Sequence, residues 1–241
     1  MIPRTVHFVW LGGEVPAWAQ RNIDEFRRVN RGHVIRVHRD VPPALAGLLP
    51  AAAHPSTVAD LVRLAVLADC GGWYFDVDFW PLRPLDEAAA AWGLDGLAGR
   101  LFAARQDHPR VPVNNAVLAC LPASAACRRL LAEAGAVAPR AVRRTALGPD
   151  LISNAVRKRP FDFLLSPAAW WYPVKDHNAA WQFYRGILDA GDVRPIRCAH
   201  AGTGGQLPFA VHLWGHSHGD MLADVHAIAG QIPPPRRASV E

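Results

Sequence analysis

The chain has 241 residues, 51% of them hydrophobic and 20% charged, which fits one substantial core better than two small ones. Its 26 Lys and Arg against 21 Asp and Glu leave a formal charge of +5, a balance that suits an anionic partner such as a nucleotide or an anionic lipid surface. Nucleic acid is disfavoured: the arginines are dispersed in pairs such as Arg27-Arg28, Arg128-Arg129, Arg143-Arg144 and Arg236-Arg237, with no basic helix, zinc finger or aromatic-glycine RNA motif beside them.

Residues 1–30 lack the layout of a secretory signal, and no window approaches the roughly 18 apolar residues of a membrane span. Cys70, Cys120, Cys127 and Cys198 have neither zinc-knuckle spacing nor the density of a disulfide framework, so a reducing cytoplasm is the expected compartment. In chain order, TVHFVWL (5–11) reads as a buried strand closed by Gly12-Gly13. A helix follows Pro16, and HVIRVHR (33–39) alternates as a second strand. The best-marked helix is STVADLVRLAVLADC (56–70): Ser56 or Thr57 can cap it, Val58, Leu61, Leu64, Ala65 and Ala68 share a face, and Gly71-Gly72 ends it. WYFDV (73–77), RLFAAR (100–105) and NNAVLAC (114–120) read as strands, the last leading into a helix over 123–135. Helices are expected over 148–159 and 179–191, with a late strand at FAVHLW (209–214), a loop at 199–206 and a frayed tail at 233–241. Strands alternating with helices predict an α/β fold with one domain over 1–232.

The run GGWYFDVDFWPL (71–82) holds the chemistry. On an extended strand residues i and i+2 point the same way, so Asp76 and Asp78 would converge if the strand ran through them. Like charges that close need a cation or a shared proton. Mg²⁺ or Mn²⁺ meets that need, since each takes carboxylate oxygens together with substrate phosphates. A cap on a turn before Pro81 is the plain alternative. Asp60 and Arg63, three apart on a helix, share a face, and their spacing alone describes a surface ion pair. Asn114 or Asn115 points inward depending on strand register. AVHLWGHSH (210–218) would set His212, Trp214, His216 and His218 on one strand face, where imidazole suits Mn²⁺ better than Mg²⁺. Ordinary exposed histidines are the plain alternative there.

The stretch DLVRLAVLADCGGWYFDVDFWPL resembles the signature of DXD-motif sugar-transferring glycosyltransferases, the group of initiating mannosyltransferases and bacterial capsule enzymes related to the glucosylating domain of large clostridial toxins. Asp60, Arg63, Leu67, Gly71, Gly72, Tyr74, Asp76 and Asp78 carry the match. IPRTVHFVWLGG, NNAVLAC, GPDLISNAV and AVHLWGHS follow in the family's order. The resemblance implies a GT-A fold, a Rossmann-like mixed sheet flanked by helices, with a nucleotide-sugar donor and a divalent metal. It implies that Asp78 binds the metal, that Asp76 faces the ribose or donor sugar, and that Asp60 and Arg63 contact sugar hydroxyls. Trp10, core by default, matches the residue that stacks on the base, with Leu11 beside it; Tyr74, Asn114 or Asn115, and Ser217 border the donor. The family often ends in Ser-Trp, whereas here Ser217 precedes His218, which either replaces the tryptophan's contact or takes no part.

A DxD also occurs in aspartyl-phosphate phosphatases, but there it belongs on a first strand with a small hydroxyl residue after it. Here it follows a helix and leads into Phe79-Trp80-Pro81. A binding relic of the transferase fold is the non-enzymatic alternative. Asp150, after Gly148-Pro149, borders the acceptor side or caps a helix. The expected acceptor is a saccharide or lipid-linked saccharide, met by a soluble basic enzyme that visits the inner membrane face, with a protein acceptor as the rival.

Overall fold

The computed structural model describes residues 1–48, 53–140, 145–173, 203, 206 and 208–213. The expected helix at 179–191, most of the loop at 199–206, the 233–241 tail, and Trp214, His216, Ser217 and His218 lie outside them.

Six strands form one mixed sheet: β1 (Thr5–Val9), β2 (Val34–His38), β3 (Gly72–Phe75), β5 (Leu101–Arg105), β6 (Val113–Cys120) and β7 (Phe163–Ser166), in the order β2-β1-β3-β6-β5-β7. β1 runs parallel to β2 and β3, β5 runs parallel to β7, and β6 runs antiparallel to both of its neighbours. The C-terminal ends of β1 and β3 therefore share one sheet edge with the N-terminal end of β6. Ligands commonly bind at such strand ends in α/β sheets. A short second sheet pairs β4 (Phe79–Pro81) antiparallel to β8 (Ala210–His212).

The period-two alternation of the strands separates two cores. Tyr74, Leu101, Ala103 and Leu118 face one side, where they meet α3 (Pro55–Cys70), α5 (Ala125–Val137) and α6 (Pro149–Lys158) through Leu61, Leu64, Leu67, Leu130 and Ile152. Trp73, Phe75, Phe102 and Val117 face the other, packing with Phe8, Phe79, Trp171 and Phe26 of α1 (Ala17–Val29). Fully buried Leu67 is a good test of the first core: truncation to Ala would cost about 2–5 kcal/mol in lost transfer energy and cavity.

α3 meets β3 through two glycines with left-handed backbone, φ +62° at Gly71 and +92° at Gly72. A Cβ on Gly71 would lie 2.5 Å from Pro122 N, and one on Gly72 2.6 Å from Thr5 O. Only glycine fits both the φ and the approach, so this pair fixes how α3 and its Asp60 and Arg63 sit over the strand that leads to Asp76.

Several boundaries differ from expectation. β1 ends at Val9, so Trp10 and Leu11 lie beyond the strand. The N-cap of α3 is His54, whose Nδ1 accepts from the Ser56 amide at 3.2 Å; Pro55 takes the first helical position, which moves the cap ahead of Ser56 and Thr57. β8 spans Ala210–His212, and the Leu213 amide carries the pairing one step further to the Asp78 carbonyl at 2.8 Å; Trp214, the expected end of this strand, lies outside the described residues. β4, β7 and α4 (Leu85–Ala91) are elements that periodicity did not reveal.

Candidate active site

β3 stops at Phe75, two residues short of the strand expected over 73–77, and a turn at 77–78 follows. The Asp76 amide still donates to Ala116 O at 2.9 Å, and the Phe79 amide then donates back to Asp76 O at 3.2 Å. The two carboxylates converge because the chain folds back between them, which alternation along a strand would not require. β4 leaves this turn and pairs Phe79 with His212 of β8. That pairing places His212 Nε2 3.1 Å from Asp78 Oδ1, with both side chains buried. One ligand atom from each of Asp76, Asp78 and His212 falls within 4.8 Å of the others. Two carboxylates and an imidazole form a donor set that accepts Mn²⁺ more readily than Mg²⁺.

Beside this trio lies a second buried cluster. Asp60 and Arg63 are 5% and 4% exposed, so the surface ion pair that their spacing described is instead an interior one. Arg63 Nη2 reaches Asp60 Oδ1 at 2.9 Å, and Nη1 reaches Asp76 Oδ1 at 3.1 Å while donating to Asn115 O at 2.7 Å. The guanidinium lies over the Tyr74 ring, 4.5 Å from its centroid. Burial by itself would discourage the Arg63 charge, but Asp76, Tyr74 and Asp60 outweigh it and hold its pKa above the ordinary arginine range. Burial likewise pushes the Tyr74 phenol well up, against the pull of Arg63, and its hydroxyl donates to Asp76 Oδ1 at 2.7 Å. One oxygen of Asp76 is thus held by Arg63 and Tyr74.

β6 supplies the asparagines. Its pairing with β5 shifts between Ala103↔Leu118 and Ala104↔Asn114, an irregularity that aims successive side chains differently. Asn115 Nδ2 donates to Asp60 Oδ1 at 2.7 Å, which places Asn115 in the cluster. Asn114 turns to Gln106, donating to its Oε1 at 2.7 Å. Asp150 is not the cap of α6: that position is Gly148, and Asp150 sits in the first turn, where its Oδ2 accepts from the Thr145 hydroxyl at 2.6 Å. Trp10 is half-buried just past β1, where it donates from Nε1 to Glu14 O at 3.0 Å and meets Trp18 edge to face at 6.1 Å. Leu11, also half-buried, packs on the α3 side of the sheet.

Three participants were missed by sequence reasoning. Tyr172 is buried and packs edge-on to both Phe79 and His212, at 5.7 and 5.5 Å. Its phenol is pushed well above the usual range by burial and by the charges of Asp76 and Asp78. Gln106 binds Asn114, and Gly148 abuts Asp60. Sequence spacing carries no signal for Tyr172 or Gln106, which reach the site through tertiary contacts; Gly148 had a signal, a glycine directly before a helix-starting proline.

The residues from His38 of β2 to the end of α4 fall within a segment, residues 37–93, that matches the family "glycosyltransferase sugar-binding region containing DXD motif". No curated protein matches the chain by sequence. Among solved structures, the galactosyltransferase LgtC, in complex with donor and acceptor sugar analogues, is similar over 96% of this chain and 98% of its own, at 14% identity and a TM-score of 0.55. A glycosyltransferase involved in glycosylation of the major capsid of PBCV-1 covers 92% of this chain and 98% of its own, at 10% identity and a TM-score of 0.53. Mouse xyloside xylosyltransferase 1 covers 86% of this chain and 96% of its own, at 13% identity and a TM-score of 0.50. Residues 37–93 thus match a DXD-type sugar-binding region, and the chain has the GT-A fold of these glycosyltransferase structures.

Proposed function

We propose that the chain is a metal-dependent glycosyltransferase that moves a hexosyl unit from a nucleotide-sugar, a UDP-sugar in the first instance with GDP-mannose as the alternative, to an acceptor hydroxyl with retention. The observation that carries this reading is the meeting of Asp76, Asp78 and His212 beside the buried Asp60–Arg63–Asn115 cluster, at the end of the sheet. Asp78 and His212, with the outer oxygen of Asp76, would hold Mn²⁺. A metal there supplies Lewis-acid stabilisation of the negative charge that grows on the departing diphosphate.

The chain's own residues divide the remaining work. Arg63 spans Asp60 and Asp76 and so fixes the polar wall that sugar hydroxyls would meet. Asn115 ties Asp60 from the other side. Trp10 offers a flat ring for the base at little conformational cost. No side chain is assigned as base: the bond from the anomeric carbon to the diphosphate breaks as that from the acceptor oxygen forms, and the acceptor proton passes to the leaving phosphate on the same face. Ser217 and His218, which the resemblance sets at the nucleotide and, for His218, at the metal or nowhere in the site, lie outside the described residues. The acceptor is a saccharide or lipid-linked saccharide of cell-surface polysaccharide synthesis, in the cytoplasm or at the inner membrane face. No described helix is long and apolar enough to cross a membrane.

The test is donor hydrolysis by chelator-treated protein across UDP- and GDP-sugars, with and without added Mn²⁺. Turnover restored by Mn²⁺ and lost in Asp78→Ala is the expected result. Metal-independent turnover, or full activity in Asp78→Ala, overturns the proposal.

A further inference from the structure

Gly148 lies against the Asp60–Arg63–Asn115 cluster. A Cβ placed on it would lie 2.7 Å from Asp60 Oδ2 and 2.8 Å from Asn115 Nδ2. Neither atom is the loose end of a flexible side chain. Asp60 Oδ1 is engaged by Arg63 at 2.9 Å and by Asn115 at 2.7 Å, and Arg63 is engaged in turn by Asn115 O and Asp76. All four residues except Asp76 are at least nine-tenths buried. A methyl group at position 148 must therefore push Asp60 off Arg63 or move the loop that carries it.

That loop is itself braced. The amides of Gly148 and Asp150 both donate to Thr145 O, at 3.2 and 3.1 Å, and the Thr145 hydroxyl closes the turn on Asp150. Pro149 opens α6 directly after, with a fixed φ and no amide to rearrange. These bonds and Pro149 oppose a retreat of residues 145–148, so the displacement falls on Asp60 and the Asn115 amide bonded to it.

Resting on the transferase reading, we infer that Gly148 is a positioning residue for the donor sugar: its missing side chain allows the Asp60 carboxylate to sit between Arg63 and Asn115 in the one arrangement that presents them together. The nucleotide and diphosphate contacts, at Trp10 and at Asp78 with His212, lie on other elements and do not pass through residue 148. The inference thus separates recognition of the hexose from recognition of the nucleoside diphosphate.

The experiment measures binding of UDP and of the UDP-hexose or GDP-mannose preferred by the wild type, by calorimetry in the presence of Mn²⁺, for wild type, Gly148→Ala, Asp60→Ala and the double variant. Gly148→Ala is expected to bind the nucleoside diphosphate within about threefold of wild type while losing the hexose-dependent gain in affinity and about 100-fold in donor hydrolysis, the scale of a misplacement near 1 Å. In the Asp60→Ala background, where the carboxylate is gone and the Asn115 amide that it tied down can swing into the vacated space, Gly148→Ala should change donor binding by less than about threefold, because both close approaches depend on Asp60. If Gly148→Ala alone fails to fold, the comparison of the double variant with Asp60→Ala still decides the matter. Unchanged hexose discrimination in Gly148→Ala, equal loss of UDP and UDP-hexose binding, or losses that multiply in the double variant would overturn the inference. Wild-type protein that binds no nucleotide-sugar overturns the transferase reading along with it.

Discussion

Two groups of largely buried polar side chains surround β1 and β3, and they solve the cost of burial in opposite ways. Beyond the C-terminal end of β3, Arg63 keeps its charge between two carboxylates, those of Asp60 and Asp76. On the β1–β2 pair, His7 is fully buried and half-buried His38 lies against it, with His7 Nδ1 3.0 Å from His38 Nε2 and His7 Nε2 3.1 Å from Gly71 O. A carbonyl can only accept, so His7 carries its proton on Nε2 and accepts from His38 on Nδ1. Burial, then the proximity of His38, lowers the His7 pKa to about 4, and burial lowers that of His38. The histidines join α3 to the strands as a neutral pair. The protein thus keeps buried charge at the sheet edge where a charged ligand would arrive, and discharges it where the contact only holds elements together.

The comparison breaks most sharply at Asp78. Asp78→Ala should lower donor hydrolysis by at least about 10²- to 10³-fold, the scale of losing a principal electrostatic contact, and should abolish Mn²⁺ binding read by electron paramagnetic resonance. Removing the shared cation instead, as in Arg63→Met, leaves Asp60 and Asp76 buried without their partner. That change should cost about 3–5 kcal/mol in unfolding free energy as well as activity, measured by urea denaturation.

The neutral pair makes the opposite kind of prediction. The folded His7 pKa of about 4 lies below the ordinary value of 6.5, so between these values the unfolded chain binds more protons. Stability therefore rises with pH across this window and falls as pH drops from 6.5 toward 4, by up to about 3 kcal/mol from His7 alone. Denaturation midpoints compared at pH 7 and pH 4.5 should show that decline in wild type and a smaller one in His7→Gln. Smallest of all, Trp10→Ala should weaken UDP binding by about 1–3 kcal/mol, the usual worth of a base stacked on an aromatic ring, while leaving unfolding little changed because Trp10 is only half-buried.

Much of this was legible in the residues because it rests on local rules. The helix 56–70 and the strands at 100–105 and 114–120 were announced by periodicity and by the Gly71-Gly72 stop, and they match α3, β5 and β6 within a residue or two. Asp76 and Asp78 converge, but the continuous strand on which that expectation depended is absent; they lie at a turn before Pro81, the element named in the plain alternative. The burial of Asp60 and Arg63 could not follow from their spacing, because helix geometry says which residues share a face and says nothing of what covers it. The choice between Asn114 and Asn115 hung on an irregular register that no single strand encodes. Short β4 and β7 were missed for a related reason: three or four residues show too few alternations to signal a period.

The reversed direction of β6 has a consequence for how such a protein can diversify. Because β6 runs back antiparallel to β5, the hairpin at 106–112 joins the two strands at the sheet end where β1 and β3 also finish. Gln106 secures its base, donating to Val111 O at 2.6 Å and accepting from Asn114. Asp107, His108, Pro109 and Arg110 face solvent. Substitution or lengthening there would reshape the rim without disturbing the parallel strands or the buried ion cluster. A library that varies 107–110 and keeps Gln106 should therefore retain the wild-type unfolding midpoint.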